Sequence, residues 1–493
     1  MSDSKNSYHQ ILKTTSLFGG VQFFTIIISI IRTKLIAFFI GPAGMGIIAL
    51  LNSSLGIISG ITNLGIETSA VKYVSEGYKE NNLNSVSRIV AIIRKLFLIT
   101  GFIGTLLIIV FASWLSELTF GNSNYTFSFV FLSLTVIFKQ ISSGQLVILQ
   151  GLRRMRLLAK ANFYGNLLGL LLSVPLYYFY SIDAIVPTII VASLSSLLFS
   201  FYYFHKLTFE KNEISLRQLI SEGKGIVKLG VLLSVSGFLV LLSNYLIQIY
   251  ITKNGGLAQV GFYNAAFTLL NSYVGIIFTV MSTDYFPRLS AICDNNEKVR
   301  ESVVQQAMVS ILIITPIIIL FLAFIPLIVK IVYTPKFTAI IPLVCFGILG
   351  MLFRAVSWSM GYILIAKGDS KIFIKTAIGF NCLSLTLNVL GYHFYGLEGL
   401  GISFFIYYVI HFLVLKIITK RRYNFYFETD FYQTFAICII MCSITFSFRY
   451  LENLLLHYCL MGILAVLSII FVLLQLNKKV ELNAFFKSII KKK

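Results

Sequence analysis

Apolar runs of twenty residues and more follow one another along almost the whole chain, separated by short polar connections. A helix needs about 20 mostly apolar residues to cross a bilayer. Such runs fall near 14–40, 44–68, 89–113, 125–150, 157–180, 184–204, 228–252, 260–286, 302–329, 339–366, 373–395, 399–418, 430–449 and 454–477, fourteen in all. A transmembrane β-barrel would alternate polar and apolar side chains in segments of about ten residues, and these unbroken runs do not. Only 12% of the 493 residues are charged and 57% are hydrophobic, against about 25% charged in a soluble domain. A soluble enzyme, a disordered chain and a disulfide-stapled secreted domain are thereby excluded. The expected fold is an all-α polytopic membrane protein.

The 40 lysines and arginines against 19 acids give a net charge of +21. On a soluble chain this would suggest nucleic acid. Here no basic domain stands outside the apolar runs, and the cations read as the positive-inside signal and as attraction to anionic membrane lipids. With the N-terminus in the cytoplasm, 32 cations fall on the cytoplasmic side and 4 opposite, at Lys253, Lys330, Lys336 and Arg449. This bias predicts a multi-pass protein of the cell (inner, cytoplasmic) membrane with both termini cytoplasmic. Five of the six cysteines lie in apolar runs; Cys438 and Cys442 are one turn apart but lack further ligands for a metal. No GxxxxGK[ST] occurs and every loop is short, so ATP-driven work by this chain alone is not expected. No enzyme activity, cofactor or metal is expected.

Two segments share the pattern GxAxxG. Gly41 to Gly46 opens the second run and Gly256 to Gly261 opens the eighth, an offset of 256 − 41 = 215. The same offset pairs Ser75 with Ser290, Lys160 with Lys375, Asn166 with Asn381, Asp183 with Glu398, and Phe179-Tyr180 with Phe394-Tyr395. It maps runs 1–6 onto runs 7–12. Six is even, so both halves enter the membrane in the same direction, a parallel repeat with a pseudo-twofold axis along the membrane normal. The expected domains are 1–210 and 211–422, two six-helix bundles, and 423–493, which carries two extra helices and a basic cytoplasmic tail. Transporters built this way place their site between the halves near the midplane.

A charge at bilayer depth costs about 2.5–3.5 kcal/mol on insertion scales and marks a functional site by default. Lys139 is central in the fourth run and Arg354 in the tenth, and they too are mates at the repeat offset. Arg32 and Lys34 lie in the first run; two residues on a helix is about 200° of rotation, so they point in nearly opposite directions. These four cations are the expected substrate-binding residues. Glu67 and Asp284 end the second and eighth runs and are candidates for gating or ion coupling, against the plainer reading of ion pairs with Lys72 and Arg288. Asp183 and Glu398 start helices, where a carboxylate suits the free N–H groups. A cationic site without matching acids calls for an anionic ligand, and phosphate or diphosphate headgroups are the membrane-borne anions that Arg suits best.

The chain resembles the polysaccharide and O-antigen flippases of the multidrug/oligosaccharidyl-lipid/polysaccharide exporter superfamily. The likeness runs through Ile31-Arg32-Thr33-Lys34-Leu35, Phe39-Ile40-Gly41-Pro42-Ala43-Gly44-Met45-Gly46, Gly65-Ile66-Glu67, Ala70-Val71-Lys72-Tyr73-Val74, Leu149-Gln150-Gly151-Leu152-Arg153-Arg154 and Ala366-Lys367-Gly368. The resemblance implies two six-helix lobes about a cationic cavity. It also implies translocation of an undecaprenyl-diphosphate-linked oligosaccharide to the periplasmic or outer leaflet, such as an O-antigen repeat unit for lipopolysaccharide. The implied partners are a polyprenyl-diphosphate-linked glycan, membrane lipids and a glycan polymerase. The multidrug branch would be expected to carry acids deep in its first helices, where this chain has Arg32 and Lys34. The peptidoglycan-precursor branch has more basic residues there and ranks second. A non-transporting scaffold for glycan assembly is the alternative of another class.

Overall fold

The computed structural model describes residues 2–79, 83–210, 214–451 and 453–480, with side chains described from residue 29 to 478 in most of that range. The basic tail beyond residue 480 and the side chains of Lys5 and Lys13 lie outside the described residues. Every regular element among the described residues is helical. The α-helices are α1 (Ser2–Asn63), α2 (Ile66–Lys79), α3 (Leu83–Val110), α4 (Ala112–Phe120), α5 (Thr126–Gly151), α6 (Met155–Tyr180), α7 (Ile185–Phe204), α8 (Leu216–Gly255), α9 (Leu257–Thr268), α10 (Ile276–Ala291), α11 (Asn296–Val332), α12 (Ile341–Ala366), α13 (Ser370–Tyr423), α14 (Thr429–Ser447) and α15 (Leu454–Val480). Eleven helical stretches among the described residues are long and apolar enough to cross a membrane. The protein is a multi-pass membrane protein of all-α fold.

Three of these stretches are interrupted. The 54 residues of α13 would extend about 81 Å as a straight helix, far beyond an apolar core of about 30 Å. The chain reverses at Gly396, whose φ of 57° is left-handed. Ser403 Oγ then donates to the Leu387 carbonyl at 2.6 Å, across the two arms of the hairpin. The stretch Met155–Phe204 reverses in the same way at Ser181 (φ 49°), and Thr188 Oγ1 donates to Tyr177 Oη at 2.8 Å. In α1 the break is Gly41 (φ 63°), followed by Pro42. Proline lacks the N–H that a new helix start leaves unpaired, and its φ is already helical.

The breaks repeat. Left-handed residues pair as Gly41 with Gly256, Arg153 with Gly368 and Ser181 with Gly396, each pair at the offset that relates the two GxAxxG segments. Helices α5 and α12, 26 residues each, begin and end on repeat mates. The offset seen in side chains is thus also an offset of backbone conformation.

The chain divides into two compact units, one of residues 35–261 and one of residues 1–34 with 262–493. Inside the first, α3, α5, α6, α7, α2 and α8 pack around a core that includes Ile66, Ala70, Val74, Ile93, Phe97 and Ile148, all almost fully buried. A buried hydroxyl cluster ties α1, α4 and α8: Ser54 Oγ donates to Tyr245 Oη at 3.1 Å, and Thr119 Oγ1 lies 2.5 Å from the same oxygen. Such a cluster satisfies its own polar atoms and so tolerates burial. Inside the second unit, α11 and α13 pack on α12, and α14 and α15 pack on α11. There Gly401 lets α13 meet the backbone of α12: a Cβ would lie 2.3 Å from the Leu343 carbonyl oxygen.

The two GxAxxG segments meet each other in the first unit. A Cβ on Gly46 would lie 2.0 Å from the carbonyl oxygen of Leu257, and one on Gly261 would lie 1.9 Å from that of Pro42. Leu257 is the repeat mate of Pro42, and Gly261 of Gly46, so the crossing is symmetric about the repeat. Gly46→Ala should therefore push backbone against backbone and cost about 1–3 kcal/mol, seen as a lower thermal midpoint of the detergent-solubilised protein. Gly56→Ala, where a Cβ meets nothing within 4 Å, should leave the midpoint unchanged or raise it. Equal midpoints for both variants would contradict a backbone contact at Gly46.

Candidate functional site

Arg354 is the fourteenth residue of α12 and Lys139 the fourteenth of α5, about 20 Å of helix from either end. Arg354 is half-buried. Its Nη1 donates to Asn271 Oδ1 at 2.5 Å, and its guanidinium lies 5.3 Å from the Phe278 ring centre and 5.4 Å from that of Tyr408. Cation–π contacts of this kind hold the plane of an arginine without consuming its donors. A guanidinium has five N–H donors, so most remain for a ligand. The Tyr407, Tyr408 and Phe380 rings surround His411 at 5.6, 6.0 and 4.1 Å.

Asn271 reaches Arg354 from a segment that is widened out of α-helix. Residues Leu269–Val274 form a π-helical turn, with the Gly275 N–H donating to the Leu270 carbonyl at 2.9 Å. A Cβ on Gly275 would lie 2.3 Å from the Asn271 carbonyl oxygen, so glycine is what lets this turn form. Isolated π turns of this kind recur at functional sites. Tyr273, in the same turn, has its hydroxyl 3.3 Å from Thr33 Oγ1. That contact seats the first arm of α1, with Arg32 and Lys34 on either side of Thr33, against the segment that holds Arg354.

Lys34 and Arg32 diverge as their spacing requires. Lys34 Nζ donates to the backbone carbonyls of Lys330 and Tyr333 at the C-terminus of α11. Carbonyls at a helix C-terminus are left free by the helix and carry its negative dipole end. Arg32 is half-buried and has no ion pair among the described residues. Lys139 is exposed on α5, in the other unit, and likewise has none there.

The acids are placed differently. Asp284 pairs with Arg288, one turn on, at 3.5 Å. Glu67 is exposed in the first turn of α2, just after the left-handed pair Leu64 and Gly65. Lys72 pairs with Glu76 at 3.7 Å and not with Glu67. Arg32, Lys34, Arg354 and Asp284 thus belong to one unit, and Lys139 and Glu67 to the other. Asn271, Phe278 and Tyr408 were not among the residues expected from sequence. Asn271 is one of two asparagines in the eighth apolar run, with Asn264, and a polar amide at that depth was the available signal for the first; nothing marks the two rings out among 44 Phe and 26 Tyr.

Comparison with known proteins places the chain in a family. Residues 12–342 match the family described as polysaccharide biosynthesis protein, and the chain belongs to that family. No curated protein sequence matches it. Among solved structures it is similar to the lipid II flippase MurJ in an inward closed conformation, with TM-score 0.64 and 15% identity over 94% of this chain and 99% of that one. It is also similar to an inward-facing multidrug resistance MATE family transporter of the MOP superfamily, with TM-score 0.63 and 14% identity over 86% of this chain and 95% of that one. A MOP superfamily transporter from Pyrococcus furiosus, described as having a binding pocket of reverse polarity, gives TM-score 0.53 and 14% identity over 85% and 96%. The fold is that of MOP-superfamily transporters, and the resemblance read from the sequence motifs is borne out.

Lys34 and Arg32 can be told apart by stability. Lys34→Gln removes a cation from the C-terminal end of α11 and should cost on the order of 1 kcal/mol. Arg32→Gln should leave the thermal midpoint within error. The reverse order in a thermal unfolding series would mean that Arg32, and not Lys34, is spent on structure.

Proposed function

We propose that this protein is a flippase for a polyprenyl-diphosphate-linked oligosaccharide, an intermediate of a surface polysaccharide such as O-antigen, moved from the cytoplasmic leaflet to the opposite one. The observation that carries the reading is the guanidinium of Arg354: central in its helix, oriented by Asn271 and two aromatic rings, and with donors to spare. A diphosphate offers several strong acceptors on a compact anion, and a planar guanidinium matches it with two parallel N–H donors. In the same unit Arg32 adds charge and Lys34 keeps one of its three ammonium donors, and Lys139 is the cation that the other unit offers the substrate. The polysaccharide biosynthesis family supports the glycan half of the reading.

In this reading the chain crosses the membrane fourteen times. The eleven apolar stretches support that count, since three of them are broken by Gly41, Ser181 and Gly396 into two arms each. Both termini are cytoplasmic. Single cysteines at Asn122 and Asn254 should react with an impermeant thiol reagent in intact cells, and one at Asn295 only after permeabilisation. Labelling of Asn295 in intact cells would invert the topology.

Transport is tested by flipping of a fluorescent lipid-linked glycan in proteoliposomes. Arg354→Ala and Lys139→Ala should each weaken substrate capture by about 10–100-fold, the worth of a charge-assisted hydrogen bond. Arg354→Lys and Lys139→Arg should retain more activity than the alanine variants. Normal flipping by the double alanine variant would refute the cationic site. The same assay with and without proton and sodium gradients tests Glu67→Gln and Asp284→Asn as uncoupling changes. Flipping by the unmutated protein that ignores both gradients would leave facilitated transport.

The second reading is a peptidoglycan-precursor flippase, favoured by a fold likeness to MurJ that spans 94% of this chain. The two readings separate in the same assay: competition by an excess of lipid-linked glycan but not of lipid II supports the first, and the reverse supports the second.

A further inference from the structure

Between α3, α5 and α7, inside the unit of residues 35–261, lies a cavity of about 320 Å³. Lys139 is not among the residues that line it. Arg94 and Lys95 stand at it, Gln145 contributes a polar wall, and Phe97, Leu98 and Phe201 make the apolar remainder. The size is at the lower end of ligand sites, and the chemistry, mostly apolar with a few converging polar groups, is theirs.

The polar groups are arranged as donors. The Arg94 guanidinium lies 5.4 Å from the centre of the Phe204 ring, and no carboxylate pairs with it among the described residues. Glu222 of α8, the acid that pairs with α3, is engaged by Arg88 through both of its oxygens. Lys95 Nζ gives one N–H to the Ile214 carbonyl and keeps two. Gln145 accepts a 2.7 Å bond from Ser200 on its carbonyl oxygen, which leaves its amide N–H groups as the end available to the cavity. Arginine, lysine and amide donors around a small space, with no acceptor of negative charge among them, define a site for an anion.

The apolar side says what kind of anion. Leu98, Phe102 and Leu106 follow one another at four-residue spacing on α3, and all are more than half exposed. Leu198 and Phe201 are exposed on α7. These ridges start at the cavity and run along the helices away from the cation-rich end, as the chains of a lipid would. A free phosphate would use the donors and leave the ridges uncovered. We propose that this cavity binds the phosphate headgroup of an anionic membrane lipid, with its acyl chains lying along the exposed faces of α3 and α7. Basic pockets between transmembrane helices are suited to such headgroups.

The test uses the full chain, purified and delipidated in detergent, titrated with dioleoyl phosphatidylglycerol or dioleoyl phosphatidylcholine and read by native mass spectrometry. Phosphatidylglycerol should bind in preference to phosphatidylcholine. Arg94→Gln should weaken it about fivefold with no change in the thermal midpoint of the lipid-free protein. Leu98→Trp, which fills the apolar mouth from an exposed position, should weaken binding while leaving both cations in place. Equal retention of the two lipids, or Arg94→Gln and Leu98→Trp binding phosphatidylglycerol as the unmutated protein does, would overturn the proposal. So would full displacement of the lipid by inorganic phosphate at millimolar concentration, which would make the site one for the free anion.

Discussion

In hydrocarbon there is no water to satisfy a peptide group, so a chain can change direction only where its backbone polar groups are otherwise cared for. Every large feature of this protein follows from how it meets that demand. Where an apolar stretch breaks sharply, the break falls on a residue with left-handed φ, as at Gly41, Ser181, Gly256 and Gly396. Buried hydroxyls bond one another, as on Ser54, Thr119 and Tyr245, or a carbonyl one turn back on their own helix, as on Ser310, Thr315 and Thr419. A serine at position 181 costs more than a glycine would, by about 1 kcal/mol for a side chain in that region. Ser181 Oγ recovers part of this by donating to the Phe39 carbonyl at 3.2 Å.

The same demand governs the charges. A cation placed centrally in a helix must find acceptors or stay hydrated, and three of the four cations here solve this in different ways. Lys34 takes the free carbonyls at the end of α11, which need a donor in any case. Arg354 takes one amide oxygen and two ring faces, none of which neutralises its charge. Lys139 remains exposed. The charge left over at Arg354 and Lys139 is therefore a property of the arrangement and not of a missing neighbour. The chain does place carboxylates beside cations elsewhere, at Asp284 with Arg288 and Asp369 with Arg422.

Much of this was legible in the residues. The apolar runs predicted the helices closely, and the fourth run, 125–150, is α5 to within one residue at each end. The repeat offset singled out Lys139 and Arg354 before any geometry was known. Other features were not legible, for physical reasons. The crossing of Gly46 and Gly261 is a contact between backbones, and a glycine gives no sign of what it lies against. The partners of Arg354 come from distant segments, Asn271 well before it in the chain and Tyr408 well after it. The first of these depends on a π turn that hydrophobic periodicity does not register. Helix α4, Ala112–Phe120, is set off from α3 by the single residue Phe111, which an apolar pattern reads straight through.

The repeat also exposes how the two halves have diverged at the site. Asn271, Phe278 and Tyr408, which orient Arg354, correspond at the repeat offset to Gly56, Asn63 and Ser193. None of these can accept from a cation through a mid-helix amide or offer it a ring face, save Asn63, which replaces a ring. Among the described residues Lys139 has no ion pair and no ring contact, where the guanidinium of Arg354 is held by an amide and two ring faces. Arginine supplies geometry and lysine supplies charge with little geometric demand. The loss of symmetry at these three positions leaves a held guanidinium in one half of the repeat and an exposed ammonium in the other.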